Sequence, residues 1–203
     1  MNCERRIVVE LHFFALFEFC FLNFVYYPVL YCCHVILYYV IGGKCVWACE
    51  IDRKAAMTYS ANFDSPPYHD IRRADLSLFP PFDICVGGFP CQDFSGLGEQ
   101  KGLEGSKGAL FYEVIRVLEH CRPPLVLLEN VKGLQNMQEG RVLQVVQGEL
   151  ERLGYHVSVQ VLNASCLVPQ YRPRLYLCGF LDPRAARAHR FPLLPVLSPP
   201  RVH

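Results

Sequence analysis

The sequence predicts an α/β fold over residues 42–181, built on a doubly wound, mostly parallel sheet. Three observations lead there. From Gly42 onward, short apolar segments alternate with stretches of helical periodicity. One segment, Leu125-Val126-Leu127-Leu128, is apolar without interruption, as a strand buried on both faces requires. Polar residues cluster directly after the apolar segments, at the strand ends where such sheets bind their ligands.

Taken in order, Lys44-Cys45-Val46-Trp47-Ala48-Cys49 reads as a strand ending at Glu50, with a helix following through Ala55, Ala56 and Tyr59. Asp83-Ile84-Cys85-Val86 is a short strand that runs into a Gly87-Gly88 loop. Residues 88–108 hold six glycines and charges of both signs, the composition of a long connection. Ala109 to His120 places Leu110, Val114, Val117 and Leu118 at helical spacing, and Pro123-Pro124 precede the apolar strand. Val142 to Leu153 is a second amphipathic helix. Tyr155 to Leu162 alternates as a strand, and Leu175 to Phe180 is another. Beyond Phe180, five prolines in 23 residues predict no further element.

The 203 residues carry 20 Lys+Arg against 19 Asp+Glu, a net charge of +1. So weak a field does not concentrate nucleic acid, and such a partner has to be argued from a site. An apolar content of 52% with 19% charged residues excludes wholesale disorder. Eleven cysteines form no C-x-x-C pair and no zinc-type group with histidine. They read as free thiols in a reducing compartment, and no metal is expected.

Residues 1–41 stand apart, with eleven Phe and Tyr and four Cys. Phe19 to Ile41 carries no formal charge over 23 residues, long enough to cross a bilayer. Pro28, Asn23, His34 and a predominance of β-formers count against an anchor, and membrane association is not expected. A buried pair of strands, or a stretch with no role in this fold, are the other readings.

Four polar features fall at predicted strand ends: Glu50-Ile51-Asp52, Gly88-Phe89-Pro90-Cys91-Gln92, Glu129-Asn130-Val131 and Gln170-Tyr171-Arg172-Pro173-Arg174. Singly, each has an ordinary explanation: a packed cysteine, an acid capping the next helix, a solvated Arg-x-Arg. As an ordered set they resemble the cytosine-C5 DNA methyltransferases. Phe89-Pro90-Cys91-Gln92 with Phe94-Ser95, Glu129-Asn130-Val131 and Gln170-x-Arg172-x-Arg174 carry the resemblance. Gly105-Ser106-Lys107-Gly108-Ala109-Leu110-Phe111 and Val161-Leu162-Asn163-Ala164 flank them in the expected order, so that it spans roughly residues 42–192. It implies a Rossmann-like, S-adenosylmethionine-dependent methyltransferase sheet, here incomplete at both ends.

Carbon 5 of cytosine is a poor nucleophile until a thiolate adds at carbon 6. The resemblance gives that role to Cys91, whose thiol needs activation at neutral pH. Glu129 is the implied donor toward ring nitrogen 3, which requires a carboxyl with a raised pKa. Asn130 would fix the loop around it. Arg172 and Arg174 would hold the cytosine oxygen and organise the catalytic loop, with Arg174 the better candidate for direct contact with the base. They project alternately or together, depending on how Pro173 bends the chain. The target cytosine must leave the duplex, so the implied partner is DNA with a flipped base. RNA is the alternative, as in the tRNA cytosine methyltransferases of the same fold.

For the cofactor S-adenosyl-L-methionine, Glu50 is the implied ribose acid, with Trp47 or Ile51 packing near the adenine. Asp70-Ile71 would reach the adenine edge. Leu110 would contact the methionine end, or be an ordinary core leucine. Family members also open with a strand and a Phe-x-Gly-x-Gly-Gly loop, whereas Phe21 to Ile41 contains no glycine. The sequence therefore reads as a catalytic core lacking its first strand, with an exposed sheet edge, an atypical segment 1–41, and a Pro-rich tail 182–203 where a target recognition domain would begin. A non-catalytic regulatory homologue is the reading that this departure favours. For a eukaryotic DNA enzyme of this family the nucleus is the implied compartment.

Overall fold

Strand formers that alternate with helix formers build one sheet here, in a computed structural model that describes residues 5–11, 43–63, 66–89, 109–163, 165 and 171–191. The strands are β1 (Arg5–Leu11), β2 (Gly43–Glu50), β3 (Ile84–Gly88), β4 (Leu125–Val131), β5 (His156–Asn163) and β6 (Pro173–Phe180). The helices are α1 (Arg53–Asn62), α2 (Ala109–Cys121), α3 (Arg141–Arg152) and α4 (Pro183–Ala188). Among the described residues the sheet order is β2-β1-β3-β4-β6-β5. β1 to β4 run parallel, while β6 runs antiparallel to both β4 and β5. The expected doubly wound, mostly parallel α/β sheet is present, with one strand reversed.

The expectation of a missing first strand is corrected. Arg5-Arg6-Ile7-Val8-Val9-Glu10-Leu11 forms β1, which pairs in parallel with β2 on one side and β3 on the other. Ile7-Val8-Val9 is a run of β-formers bracketed by charges, submerged in the composition of the aromatic-rich residues around it. The sheet is continuous across that position, and its edges are β2 and β5. Residues 12–42, which join β1 to β2, lie outside the described residues, as does the apolar stretch 19–41. Among the described residues no helix is long and apolar enough to cross a membrane.

Other boundaries shift for identifiable reasons. Gly87 and Gly88 belong to β3 because β1 and β4 supply partners for their backbone. Glu129 and Asn130 lie within β4 rather than after it, and Pro173 and Arg174 within β6, because β4 and β6 pair as far as Val131 and Arg174. Residues 183–188, where no element was expected, form α4, which opens with Pro183 in its first turn and Asp182 accepting from the Arg184 amide.

Alternation along the strands divides the core. Cys85, Val126, Leu128 and Leu177 face one layer, packed with Phe111, Val114 and Leu118 of α2 and Val142, Val146 and Leu150 of α3. Ile84 and Val86 face the other, with Ala48 of β2 and Tyr59 of α1. Covering both faces explains why Leu125 to Leu128 has no polar residue.

Gly179 of β6 sits opposite Val126 in this tight layer. A Cβ there would lie 2.6 Å from Val126 Cγ1 and 3.3 Å from Tyr155 Cβ. Tyr155 cannot retreat freely, because its buried hydroxyl donates to the Pro123 carbonyl at 2.8 Å. Gly179→Ala is therefore expected to destabilise the fold by about 1–3 kcal/mol, since overpacking outweighs the entropy gained by removing a glycine. A urea titration should show a lower midpoint with an unchanged slope; an unchanged midpoint would refute the tight packing.

Candidate active site

The carboxyl ends of β2, β3 and β4 and the start of β6 form one rim of the sheet. Parallel register sets Gly88 of β3 beside Glu129 of β4. On the other side of β4, antiparallel register sets Val131 opposite Arg174 and Glu129 opposite Tyr176. Arg174 is thus the diagonal neighbour of Glu129, two residues along the partner strand and on the same face. The side chains meet accordingly, with Arg174 Nε 3.3 Å from Glu129 Oε1.

Glu129 is only 7% exposed, and Oε1 accepts no well-directed hydrogen bond among the described residues. Burial pushes its carboxyl from 4.5 up to about 8, with Arg174 and then Arg172 pulling in the opposite direction. Desolvation wins over two nearby guanidinium groups, and at neutral pH the carboxyl is mostly protonated. Both arginines of the Arg-x-Arg pair therefore act on one carboxyl, whichever way Pro173 bends the chain. The backbone amide of Arg172 is fixed by Asn163, whose Oδ1 accepts it at 2.9 Å and the Ser165 amide at 3.2 Å.

Asn130 points the other way and joins two strand ends. Its Nδ2 donates to the Phe89 carbonyl at 2.7 Å, while its Oδ1 accepts the Val131 amide at 2.8 Å. Phe89 packs on Phe111 of α2, ring centroids 5.0 Å apart. The chain leaving β3 is thereby held at Phe89, two residues before Cys91 in sequence. Cys91 itself lies outside the described residues.

The second half of the rim holds two acids with separate tasks. Asp52 caps α1, accepting the Ala55 amide at 2.8 Å. Glu50, 3% exposed, accepts the Asp52 amide at 2.8 Å, and burial raises its carboxyl to about 7. Residues 66–70 lie along β2: Tyr68 donates to the Ala48 carbonyl at 2.7 Å and accepts the Glu50 amide at 2.8 Å. That pairing brings Glu50-Ile51 and Asp70-Ile71 to neighbouring segments. Asp70 opens the turn Ile71–Arg73, and both its oxygens are engaged by Arg72, which holds its carboxyl down at about 2. Trp47 packs on Phe79, 4.2 Å between centroids, and near Tyr68. Leu110 is half-buried against the core in the first turn of α2. Among the described residues no group of three or more His, Cys, Asp or Glu is placed to hold a metal.

Two residues at this rim escaped the sequence reading of roles. Asn163 was visible only as part of a resembling segment, and its bond to the Arg172 amide depends on β5 and β6 pairing. Arg116 of α2 reaches the carbonyls of Ile71 and Ala74, more than 40 residues earlier, with nothing in its helical context to signal it.

The titration of Glu129 has a testable sign. Its folded value, about 8, lies above the unfolded carboxyl near 4.5, so the folded chain holds the extra proton between those values. Stability from this group is complete below the lower value and is lost as pH rises through the upper one, at up to about 1.4 kcal/mol per pH unit. Glu129→Gln should match the wild type near pH 5 and surpass it near pH 8 in denaturant midpoint. A residual slope below pH 7 belongs to Glu50. Parallel pH profiles for the two proteins would contradict the burial of an ionisable carboxyl.

Comparison with known proteins gives the family. The family described as C-5 cytosine-specific DNA methylase matches residues 38–196. The chain is 48% identical over 139 residues to the Type II methyltransferase M.BanI of Aneurinibacillus aneurinilyticus, covering 68% of this chain and 32% of that protein. It is 42% identical over 161 residues to M.MspI of Moraxella sp, covering 78% and 38%. Against the crystal structure of S. pombe Dnmt2 methyltransferase the TM-score is 0.65 at 22% identity, covering 86% of this chain and 50% of that one, a likeness of fold. The chain spans about a third to a half of the length of the curated relatives it matches. It belongs to the C-5 cytosine-specific DNA methylase family.

Proposed function

We propose that this chain carries the catalytic core of a DNA cytosine-C5 methyltransferase, with Cys91 as nucleophile and Glu129 as the proton donor at ring nitrogen 3. The observation that carries the reading is the buried, mostly protonated Glu129 beside Arg174, at the strand end that pairs with the one leading to Cys91. As the thiolate bonds to carbon 6, negative charge grows toward nitrogen 3, and a neutral carboxyl meets it with a hydrogen. A carboxylate would repel it. Arg174 and Arg172 stabilise the anion that Glu129 becomes after donating, and hold the cytosine oxygen in register. Asn130 holds Phe89, where the chain leaves β3, against the strand that carries Glu129.

The residues fit the adenosine half of S-adenosylmethionine. Glu50 is a buried acid at a strand end able to accept ribose hydroxyls, and Ile51, Asp70 and Ile71 lie alongside. Leu110, half-buried in the first turn of α2, is the residue assigned to the methionine half. Bound there, the cofactor supplies an electrophilic methyl group on sulfur. Carbon 5 would take that methyl as the sulfur departs as a neutral thioether, and loss of the carbon 5 proton to water would supply the electrons that expel Cys91 as thiolate. The target base reaches this rim by flipping out of its duplex. Residues 1–41 contain no glycine, which is the observation favouring a non-catalytic homologue instead.

A duplex with 5-fluorocytosine at the target separates these readings, because fluorine at carbon 5 blocks the proton loss that would release Cys91. Incubation of the chain with S-adenosylmethionine and this DNA should give a covalent complex on a denaturing gel. Cys91→Ala should abolish it, and Glu129→Gln should slow it by about 10²–10⁴. An adduct formed only on the equivalent RNA would move the substrate to RNA. Cofactor binding without any adduct would favour the non-catalytic homologue.

A further inference from the structure

Arg116 lies on α2, flanked by Ile115 and Val117, and by sequence is a solvated helix residue paired with Glu113. Its actual partners are backbone carbonyls of another element. Nη2 donates to the Ile71 carbonyl at 2.7 Å, Nη1 reaches the Ala74 carbonyl at 3.5 Å, and Nε is held by Glu113 Oε2 at 2.7 Å. Three of the five N–H donors of one guanidinium are thus directed at a single turn and at its own orientation. Charge-assisted bonds of this kind are the stronger ones, and the rigid fork makes the geometry specific.

Between Asp70 and Ala74 the turn closes on itself through Arg73 N–H to the Asp70 carbonyl at 3.0 Å and Ala74 N–H to the Ile71 carbonyl at 3.1 Å. The Arg72 amide and guanidinium hold the Asp70 carboxylate, the Tyr68 hydroxyl donates to the Arg73 carbonyl at 3.2 Å, and Ile71 is fully buried. On its amino side the turn is anchored to β2 by Tyr68, including the bond from the Glu50 amide. On its carboxyl side Arg116 supplies the polar tether to α2. The two anchors fix the spacing between Glu50 and Asp70-Ile71, the pair assigned above to the ribose and the adenine edge.

We propose that Arg116 is a positioning residue for cofactor binding, clamping the Asp70–Ala74 turn in the shape that receives adenine. This rests on the cofactor reading of Glu50, Asp70 and Ile71. Arg116 touches no cofactor itself; it removes the conformational cost of ordering the turn at the moment of binding. If the unclamped turn holds the receiving shape a tenth of the time, apparent affinity falls about tenfold.

Arg116→Met keeps the aliphatic stem and removes every donor. Calorimetric titration with S-adenosyl-L-methionine and, separately, with adenosine should show both weakened about tenfold or more. Amide hydrogen exchange in the ligand-free protein should quicken at Arg73 and Ala74 while α2 stays protected. Arg116→Lys, which keeps the charge without the fork, should fall between the two and serves if the methionine variant fails to fold. Glu50→Ala is the control for the underlying reading. Loss of binding in that variant with wild-type affinity and exchange in Arg116→Met would overturn the clamp alone. Wild-type binding in both variants, or no binding by the wild type, would overturn the cofactor reading and the clamp with it.

Discussion

The reversal of β6 against β4 brings the beginning of one strand to the end of the other, and the rim's chemistry depends on it. Arg174 lies near the start of β6, and Glu129 near the close of β4. In a parallel pairing the two would stand at opposite edges of the sheet, roughly 20 Å apart for strands of this length. Antiparallel register instead makes them diagonal neighbours on one face, and the contact between the guanidinium and the carboxyl follows from backbone geometry. Strand β5 then serves as the outer support, with Asn163 at its end fixing the Arg172 amide.

Burial and charge compete at Glu129 and neither eliminates the other. Two nearby guanidinium groups ought to hold a carboxyl ionised, yet removal from water weighs more, and the group keeps its proton to about pH 8. The role proposed for Glu129 calls for both influences: desolvation to keep the proton beforehand, and cations to accept the charge afterwards. Glu50 shows the first influence without the second. Burial raises it, and the Asp52 and Ile51 amides draw it back.

The rim also illustrates how a polar site is held by side chains bonding to backbone. Asn130 takes the Phe89 carbonyl, Asn163 the Arg172 amide and Arg116 the Ile71 carbonyl, while the Tyr68 backbone itself shares two bonds with β2. Each bond satisfies a group that would be costly to leave unmet in a partly buried region. Together they tie four loop ends to the rigid strands and helices, which limits motion where geometry matters most.

Much of this was legible in the sequence because the signals were local. The apolar run Leu125 to Leu128, the helical spacing of Val114, Val117 and Leu118, and the ordered motifs around Glu129 and Arg174 sit within short windows, and periodicity and side-chain chemistry suffice to read them. Strand β1 was not legible, since seven residues amid an aromatic-rich segment become a strand only when β2 and β3 offer backbone partners on both sides. Nor were the extension of β4 through Glu129 and Asn130, the reversal of β6, or the reach of Arg116 to Ile71. The sequence by itself determined the element types, the two-faced core and the residues equipped for chemistry. Only the tertiary structure decided which of them meet, because hydrogen-bond register and desolvation arise between segments far apart in the chain.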